Sequence, residues 1–193
     1  DSRESMVLAG IVSDLRIING QRGKVAIFKL DDKSGVMEAT ADEGLINSAK
    51  NLLKDDELII VTAKMQADRF SGGFRLKIEQ IMDLGAARCR YGKFLRVAVN
   101  GRAPDIARLV KEFPAQREQT EQGELVRGLP VRLKLERRND QLGARAELAL
   151  GEQARFFPSD AALASWMAQA DQGQAVIVYE DNNPILTLRT VSQ

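Results

Sequence analysis

The most informative features of this 193-residue sequence are its absences. It contains no histidine, which excludes histidine-dependent catalysis and histidine-ligated zinc. The single cysteine, Cys89, cannot form an intrachain disulfide or a cysteine-rich metal site. No apolar run is long enough to cross a membrane, and the N-terminus lacks a signal-peptide pattern. We therefore expect a cytoplasmic binding module with no catalytic residues, metal ligands or cofactor. The chain begins with Asp1 rather than methionine, so we expect a fragment of a longer protein.

Residues 6–84 carry the pattern of five strands and one helix. The strands are predicted at 6–18, 24–32, 36–40, 57–66 and 73–82, and the helix at 45–54. Gly10 allows the first strand to bend sharply. Asp32 suits the first position of a tight turn, in which Gly35 is expected to take the positive φ. Three strands, a helix and two further strands is the order of an OB-fold, a five-stranded barrel that binds oligonucleotides between two loops. These loops are predicted at 19–23 and 67–73.

The segment Gln66–Phe70 has two interpretations. It resembles the short peptide with which bacterial proteins bind the sliding clamp, but Arg69 stands where that peptide usually has an apolar residue. The two glycines at 72–73 provide the backbone freedom that a hairpin tip needs. Alternation along the fifth strand places Phe74, Leu76 and Ile78 inward, in the core. We therefore predict a hairpin and do not expect this segment to bind the clamp.

Charge in the barrel region indicates at most a weak nucleic-acid binder. Acidic residues slightly outnumber basic ones in residues 1–85, so a net basic footprint is missing. Basic side chains nevertheless lie at both loops, and Lys29 and Lys77 are expected on one exposed face. Phe70 is expected to stack on a base, because Phe28 and Phe74 are assigned to the core. The candidate nucleic-acid-binding residues are Arg22, Lys24, Lys29, Arg69, Phe70, Arg75 and Lys77. Weak binding of single-stranded DNA and a solvated charged face without a ligand both stay open.

The remainder of the chain predicts a second, α+β unit. Strands are predicted at 94–100, 131–137, 144–150 and 175–179, and helices at 104–113 and after Ser159. The order is β-α-β-β-α-β, which we interpret as a split βαβ sandwich with its helices on one face. Residues 114–124 are expected to be turn-like, and Trp166 is expected in the core. The predicted domains are an OB-fold at 1–85, a linker at 86–93 and this α+β domain at 94–193.

The C-terminal segment has two interpretations. The run 175–179 is continuously apolar, as in a central buried strand. The apolar residues that follow it could add an edge strand to the same sheet or form a segment that a partner orders. The candidate partner-binding residues are Val178, Tyr179, Ile185, Leu186 and Leu188.

Three stretches together resemble the OB region of the bacterial replicative DNA polymerase III alpha subunit. They are "AIFKLDDKSGVMEAT" (26–40), "LLKDDELIIVTAKM" (52–65) and "FSGGFRLKIEQIMDL" (70–84). The "PSD" at 158–160 also fits the family. The resemblance covers the whole chain, more closely over 6–90 than from 91 onward, and implies that this is the C-terminal part of a much larger DNA-directed DNA polymerase.

The resemblance implies separate binding roles for the two domains and no catalysis by this fragment. The family's catalytic carboxylates and main clamp-binding peptide lie upstream of such a fragment, which would have no chemistry of its own. Its OB domain is associated with single-stranded template, and its terminal domain with the tau subunit of the clamp loader. Alternatives are the same region of an error-prone polymerase relative, or an unrelated OB-fold protein that binds RNA or DNA.

Overall fold

The computed structural model describes residues 4–68, 72–100, 104–121, 123–138 and 143–179. Within them the chain forms two compact units, divided between Leu84 and Gly85. In this described part of the chain, no helix has the length and apolar character needed to cross a bilayer.

The first unit is the closed five-stranded barrel expected of an OB-fold. Its elements are β1 (Met6–Gly20), β2 (Gly23–Asp31), β3 (Val36–Asp42), α1 (Glu43–Ser48), β4 (Leu58–Ala67) and β5 (Phe74–Met82). The strand order is β1-β2-β3-β5-β4. Neighbouring strands are antiparallel except β3 and β5, which run parallel. The long β1 pairs with β2 along its second part and with β4 along its first. It therefore closes the barrel.

Alternating side chains fill the barrel interior. Phe28, Leu30 and Leu76 are at most 1% exposed, and each large apolar side chain buried in this way stabilises the fold by about 1.5–3 kcal/mol. Gly10 lies against Leu30 of β2, because a β-carbon at this position would be 2.7 Å from Leu30 Cγ. The bend predicted at Gly10 thus corresponds to a close approach of two strands.

Two local predictions in the barrel are wrong in detail. Helix α1 begins at Glu43 and ends at Ser48 instead of covering 45–54. Its start is fixed by Asp42, whose side chain accepts a hydrogen bond from the Leu45 backbone N–H. In the turn after β2, the positive φ falls on Lys33 (69°) and not on Gly35. Side-chain oxygens of the preceding aspartates accept the backbone N–H groups of residues 33–35, which holds this conformation.

The second unit combines a four-stranded sheet, a separate hairpin and three α-helices within the described residues. The elements are α2 (Leu84–Tyr91), β6 (Gly92–Ala98), α3 (Ile106–Glu112), β7 (Gln116–Thr120), β8 (Gly123–Arg127), β9 (Val131–Arg138), β10 (Gly143–Ala149), α4 (Asp160–Gln169) and β11 (Ala175–Tyr179). The main sheet has the order β10-β9-β6-β11. Its strands and the helices α3 and α4 follow one another in the predicted β-α-β-β-α-β order.

The core of this unit lies between one face of the sheet and two helices. Leu95, Val97 and Val131 are fully buried and share a cluster with Leu109 of α3 and Trp166 of α4. Trp166 is a core residue as predicted. Ser159 caps α4 by accepting the backbone N–H of Ala162.

Several expectations for the second unit are corrected. The sandwich is not split, because β6 and β9 are directly paired and parallel. Residues 114–124, expected as turns, include β7 and the start of β8, which form a hairpin. Residues 86–93, expected as a linker, lie in α2 and the start of β6, and Arg88 of α2 is 2.7 Å from an Asp160 carboxylate oxygen. Strand β11, expected in the centre, pairs only with β6 among the described strands.

Candidate nucleic-acid interface

A row of side chains crosses the outer surface of the barrel from β1 to β5. Arg16 pairs with Ile27, Ile27 with Thr40, and Thr40 with Lys77. We call these four residues the outer row. Residues directly paired across neighbouring strands point to the same side of a sheet, and the residues next to the row, such as Phe28 and Leu76, are buried inside. The row therefore places two cations beside an apolar and a hydroxyl side chain.

The two cations of the outer row are available to a ligand. Arg16 and Lys77 are exposed, and neither forms an ion pair with a described residue. Thr40 and Ile27 are half-buried between them, and the Thr40 hydroxyl lies 3.4 Å from the carbonyl oxygen of Leu76. An exposed guanidinium and ammonium on a β-sheet surface can each contact one phosphate of a nucleic-acid backbone.

Lys29 lies on the same outer surface but is already engaged. Its strand partner on β3 is Glu38, and β3 separates it from Lys77. Its Nζ is 2.7 Å from a carboxylate oxygen of Asp14. The hydrogen bond from Lys29, with its positive charge, lowers the pKa of Asp14. Asp14 is at the irregularity of β1, with φ 54°. The charge of Lys29 is thus partly neutralised on this surface.

The turn between β1 and β2 brings two further candidates to one end of the barrel. Arg22 and Lys24 are both exposed and flank Gly23, whose φ of 109° closes the turn. Neither basic side chain forms an ion pair with a described residue. The Lys24 backbone N–H lies 3.4 Å from a carboxylate oxygen of Glu43. This acidic group lies next to the turn and reduces its positive potential.

The predicted β4–β5 hairpin is present, but Phe74, the first residue of β5, is not in the core. Asp68 N–H donates to the Gly73 carbonyl at 2.8 Å, and Gln66 is paired with Arg75 in the ladder. The Arg75 guanidinium is 4.0 Å from Asp68. Phe74 is 59% exposed, so its assignment to the core is wrong. It has the parity of buried Leu76 but is the first residue of β5, where the barrel interior ends.

Other candidates lie outside the described residues or away from the barrel. Arg69 and Phe70 belong to the first group, so the Gln66–Phe70 peptide is described only up to Asp68. In the second unit, Val178 is half-buried and pairs with Phe94, and Tyr179 is 41% exposed at the end of β11. The remaining partner-binding candidates, Ile185, Leu186 and Leu188, are also outside the described residues.

Arg16 and Phe74 are the surface residues that the sequence interpretation missed. The irregularity between Ser13 and Arg16 shifts the alternation of β1, so a simple period of two assigns the end of this strand wrongly. The exposure of Phe74 at the start of β5 has a signal in the sequence, because this residue directly follows two glycines. In the structure it is paired with the small Ala67.

The barrel has the OB-fold. Residues 6–84 match the family model described as an OB-fold nucleic acid binding domain. The small single-stranded DNA-binding protein from Streptomyces coelicolor is one solved structure with a similar fold. It is 15% identical, with a TM-score of 0.37, and the similarity covers 44% of this chain and 96% of that one.

The predicted resemblance to the alpha subunit of DNA polymerase III is confirmed. The chain is 31% identical to DNA polymerase III subunit alpha of Escherichia coli strain K12 over 156 residues, covering 79% of this chain. It is 36% identical to the same subunit of Neisseria meningitidis serogroup A over 117 residues, covering 58% of this chain. The matched regions cover only 12% and 10% of those two relatives.

Proposed function

We propose that the outer surface of the barrel binds single-stranded DNA weakly. The observation that carries the proposal is the outer row, in which Arg16 and Lys77 are exposed cations without ion pairs, on the surface with which OB-folds bind oligonucleotides. Arg22 and Lys24 at one loop, and Arg75 with Phe74 at the other, extend this surface. The acidic neighbours Asp14, Glu38 and Glu43 oppose a tight complex, because they repel the same phosphates.

The test is a titration of the full chain with a fluorescein-labelled oligothymidylate. Replacing Arg16 and Lys77 together with alanine should weaken binding several-fold, equivalent to about 1 kcal/mol for a few phosphate contacts. The matched control is the double replacement of Lys50 and Lys54, which are exposed outside this surface and should have little effect. Equal affinities of the two double variants would contradict the assignment of this face.

We further propose that the chain is a non-catalytic part of a replicative DNA polymerase alpha subunit that acts in the cytoplasm. In this assignment the barrel contacts template, and the second unit, which follows it along the chain, docks the tau subunit of the clamp loader. The similarity to alpha subunits supports the first statement. The sliding clamp is not expected to bind through Gln66–Phe70, because Gln66 and Ala67 are already paired in the barrel.

The exposed strand β11 supports the proposal of tau docking. Val176 is 63% exposed and Tyr179 is 41% exposed, and the outer edge of β11 has no strand partner among the described residues. An unpaired edge can accept an extended partner segment through main-chain hydrogen bonds. Val178, Tyr179, Ile185, Leu186 and Leu188 are the proposed contacts.

Truncation tests this proposal. Removing residues 182–193 should abolish tau binding and leave the melting temperature nearly unchanged if this segment docks the partner. If the segment completes the sheet instead, its removal should lower stability by several kcal/mol, since each large aliphatic side chain contributes about 1.5–3 kcal/mol. A truncated chain that keeps both its stability and its tau affinity would move the search to the exposed faces of α3 and α4.

A further inference from the structure

Among the described residues, no helix packs on one face of the four-stranded sheet of the second unit. Helices α3 and α4 pack on the side of Leu95, Val97 and Val131. Successive residues of a strand point to opposite sides, so Arg96 and Arg132 point away from these helices. The register aligns Val176, Arg96, Arg132 and Ala149 in a row across all four strands. We call the surface around this row the open face.

Two arginines of the open face are arranged around one phenylalanine. The Arg132 guanidinium carbon lies 4.0 Å from the centroid of the Phe94 ring, and that of Arg96 lies 5.5 Å from it. Phe94 is only 7% exposed. Contact with the ring orders both guanidinium groups, so a ligand meets cations whose side chains have already lost part of their freedom.

The charge of the open face is predominantly positive. Arg132 is 3.2 Å from Glu147, and Arg145 and Lys134 both pair with Glu136. Arg96 is exposed and forms no ion pair with any described residue. Among the side chains that the structure describes on this face, four are basic and two are carboxylates, and the Arg96 guanidinium is not paired with either carboxylate.

An apolar side chain accompanies this charge. Val176 is 63% exposed and lies directly beside Arg96 in the register. A sheet surface that places an exposed apolar side chain next to guanidinium groups suits unpaired bases, which stack on apolar and guanidinium surfaces while phosphates contact the cations. A duplex offers its phosphates but not the faces of its bases, so it would leave Val176 unused.

We propose that the open face is a second binding surface for single-stranded nucleic acid, separate from that of the barrel. Arg96 and Arg132 provide guanidinium planes for the bases. Val176 extends the apolar part of the surface, and Arg96 and Lys134 contact phosphates. The occupant is a single strand rather than an acidic protein segment, because an acidic segment would use the charges but not the surface that stacks a base.

The experiment uses the full chain and the variant Arg96→Ala. This change should weaken binding of a fluorescein-labelled oligothymidylate about three- to fivefold, the effect of losing a phosphate or stacking contact. It should also make the logarithmic salt dependence shallower by about 0.7 for a lost phosphate contact on a single strand. The matched control is Lys111→Ala on α3, which removes one exposed charge from the helix side of the same unit and should change neither quantity.

Two further arms separate this surface from the barrel and from a protein ligand. The same loss on Arg96→Ala is expected in a chain that already carries Arg16→Ala and Lys77→Ala, so a loss of binding at the barrel would not mask the contribution of the open face. Photocrosslinking with a 5-iodouracil oligonucleotide should label peptides of β6 or β9. The proposal is overturned if Arg96→Ala behaves like Lys111→Ala and β6 and β9 stay unlabelled. It is also overturned if labelled polyglutamate binds this face more tightly than the oligonucleotide does.

Discussion

Asp14 and Lys29 form an ion pair of 2.7 Å on the outer surface of the barrel. The pair joins the irregular part of β1 to the middle of β2 and lies beside the outer row. A nucleic-acid phosphate that approaches Lys29 must compete with the Asp14 carboxylate, which is held in place by its own strand. The same acidic residue therefore fixes the position of the lysine and weakens its attraction for phosphate.

Removing the charge of Asp14 should strengthen binding of single-stranded DNA. Asparagine tolerates the positive φ of 54° at this position, so Asp14→Asn changes the charge and keeps the backbone. We expect an affinity about two- to threefold higher and a steeper salt dependence, because Lys29 becomes free to contact a phosphate. Fluorescence titration at several salt concentrations measures both. Glu121→Gln, which removes an exposed charge from the second unit, should leave binding as it is; an equal gain in both variants would refute a specific role for Asp14.

The pair also predicts how Asp14 titrates. The hydrogen bond and charge of Lys29 lower its pKa below the ordinary 3.8. Because the folded pKa is the lower one, the stabilisation is present above the unfolded pKa and is lost as the pH falls through the folded value. NMR titration of the Asp14 carboxyl carbon should give a midpoint below 3.8, and Lys29→Ala should raise it. An unchanged midpoint in Lys29→Ala would show that the pair does not persist in solution.

Phe74 is expected to stack on a base. Its side chain is 59% exposed, and stacking a base on an aromatic ring is worth about 1–3 kcal/mol. Phe74→Ala should therefore weaken oligothymidylate binding about fivefold or more, with little change in melting temperature. Phe74→Tyr should retain most of the affinity, and Leu125→Ala, which shortens an exposed apolar side chain of β8 in the second unit, serves as the control. Full binding by Phe74→Ala would mean that the exposed ring has no role in recognition.

Gly10→Ala should destabilise the barrel. The added methyl group would lie 2.7 Å from Leu30 Cγ, and forcing an extra methyl into a packed core costs about 1–3 kcal/mol. Urea unfolding followed by circular dichroism gives this value. Gly151→Ala is the control, since a β-carbon there meets no atom within 4 Å. Similar unfolding curves for both variants would show that β1 can move away from Leu30 without cost.

The chain by itself should not incorporate nucleotides. Its sequence contains no recognisable set of carboxylates that could hold the metal ions of phosphoryl transfer. Incubation with a primed template, magnesium and deoxynucleotides should leave the primer unextended, as judged by denaturing gel electrophoresis. Extension by a homogeneous preparation would require a catalytic site that neither the sequence nor the barrel suggests.

The sequence predicted the elements that repeat a simple period and missed those that depend on distant partners. The inward assignment of Leu76 and Ile78 is correct, because they lie in the part of β5 where buried and exposed residues alternate. Phe74 has the same parity, yet it is exposed, since alternation does not show where the interior of a barrel ends. The turn at 32–35 was located from Asp32, but the distribution of its hydrogen bonds decided that Lys33 takes the positive φ.

The second unit shows the same limit. Strand β11 is apolar throughout, but apolar character alone does not distinguish a central strand from an edge strand whose residues are partly exposed. The hairpin of β7 and β8 consists largely of polar residues. The sequence does not reveal it, because a strand is recognised from the alternation of apolar and polar residues. Its cross-strand pairs, Arg117 with Glu124 and Arg127 with Glu118, become apparent only when the two strands are aligned. The outer row likewise depends on the register of four strands.

The double role of β1 has a consequence for how the barrel is made. Met6 at its start pairs with Ala63 of β4, while the end of the same strand pairs with the β2 that directly follows. The hairpin of β1 and β2 can therefore form early, but closure must wait until β4 and β5 have left the ribosome. Contacts between residues so distant in sequence slow folding. The chain between them must lose conformational entropy before the contact stabilises the fold. Until then the first half of β1 has an unpaired edge that can pair with other nascent chains. We therefore expect this domain to aggregate most readily before the barrel closes.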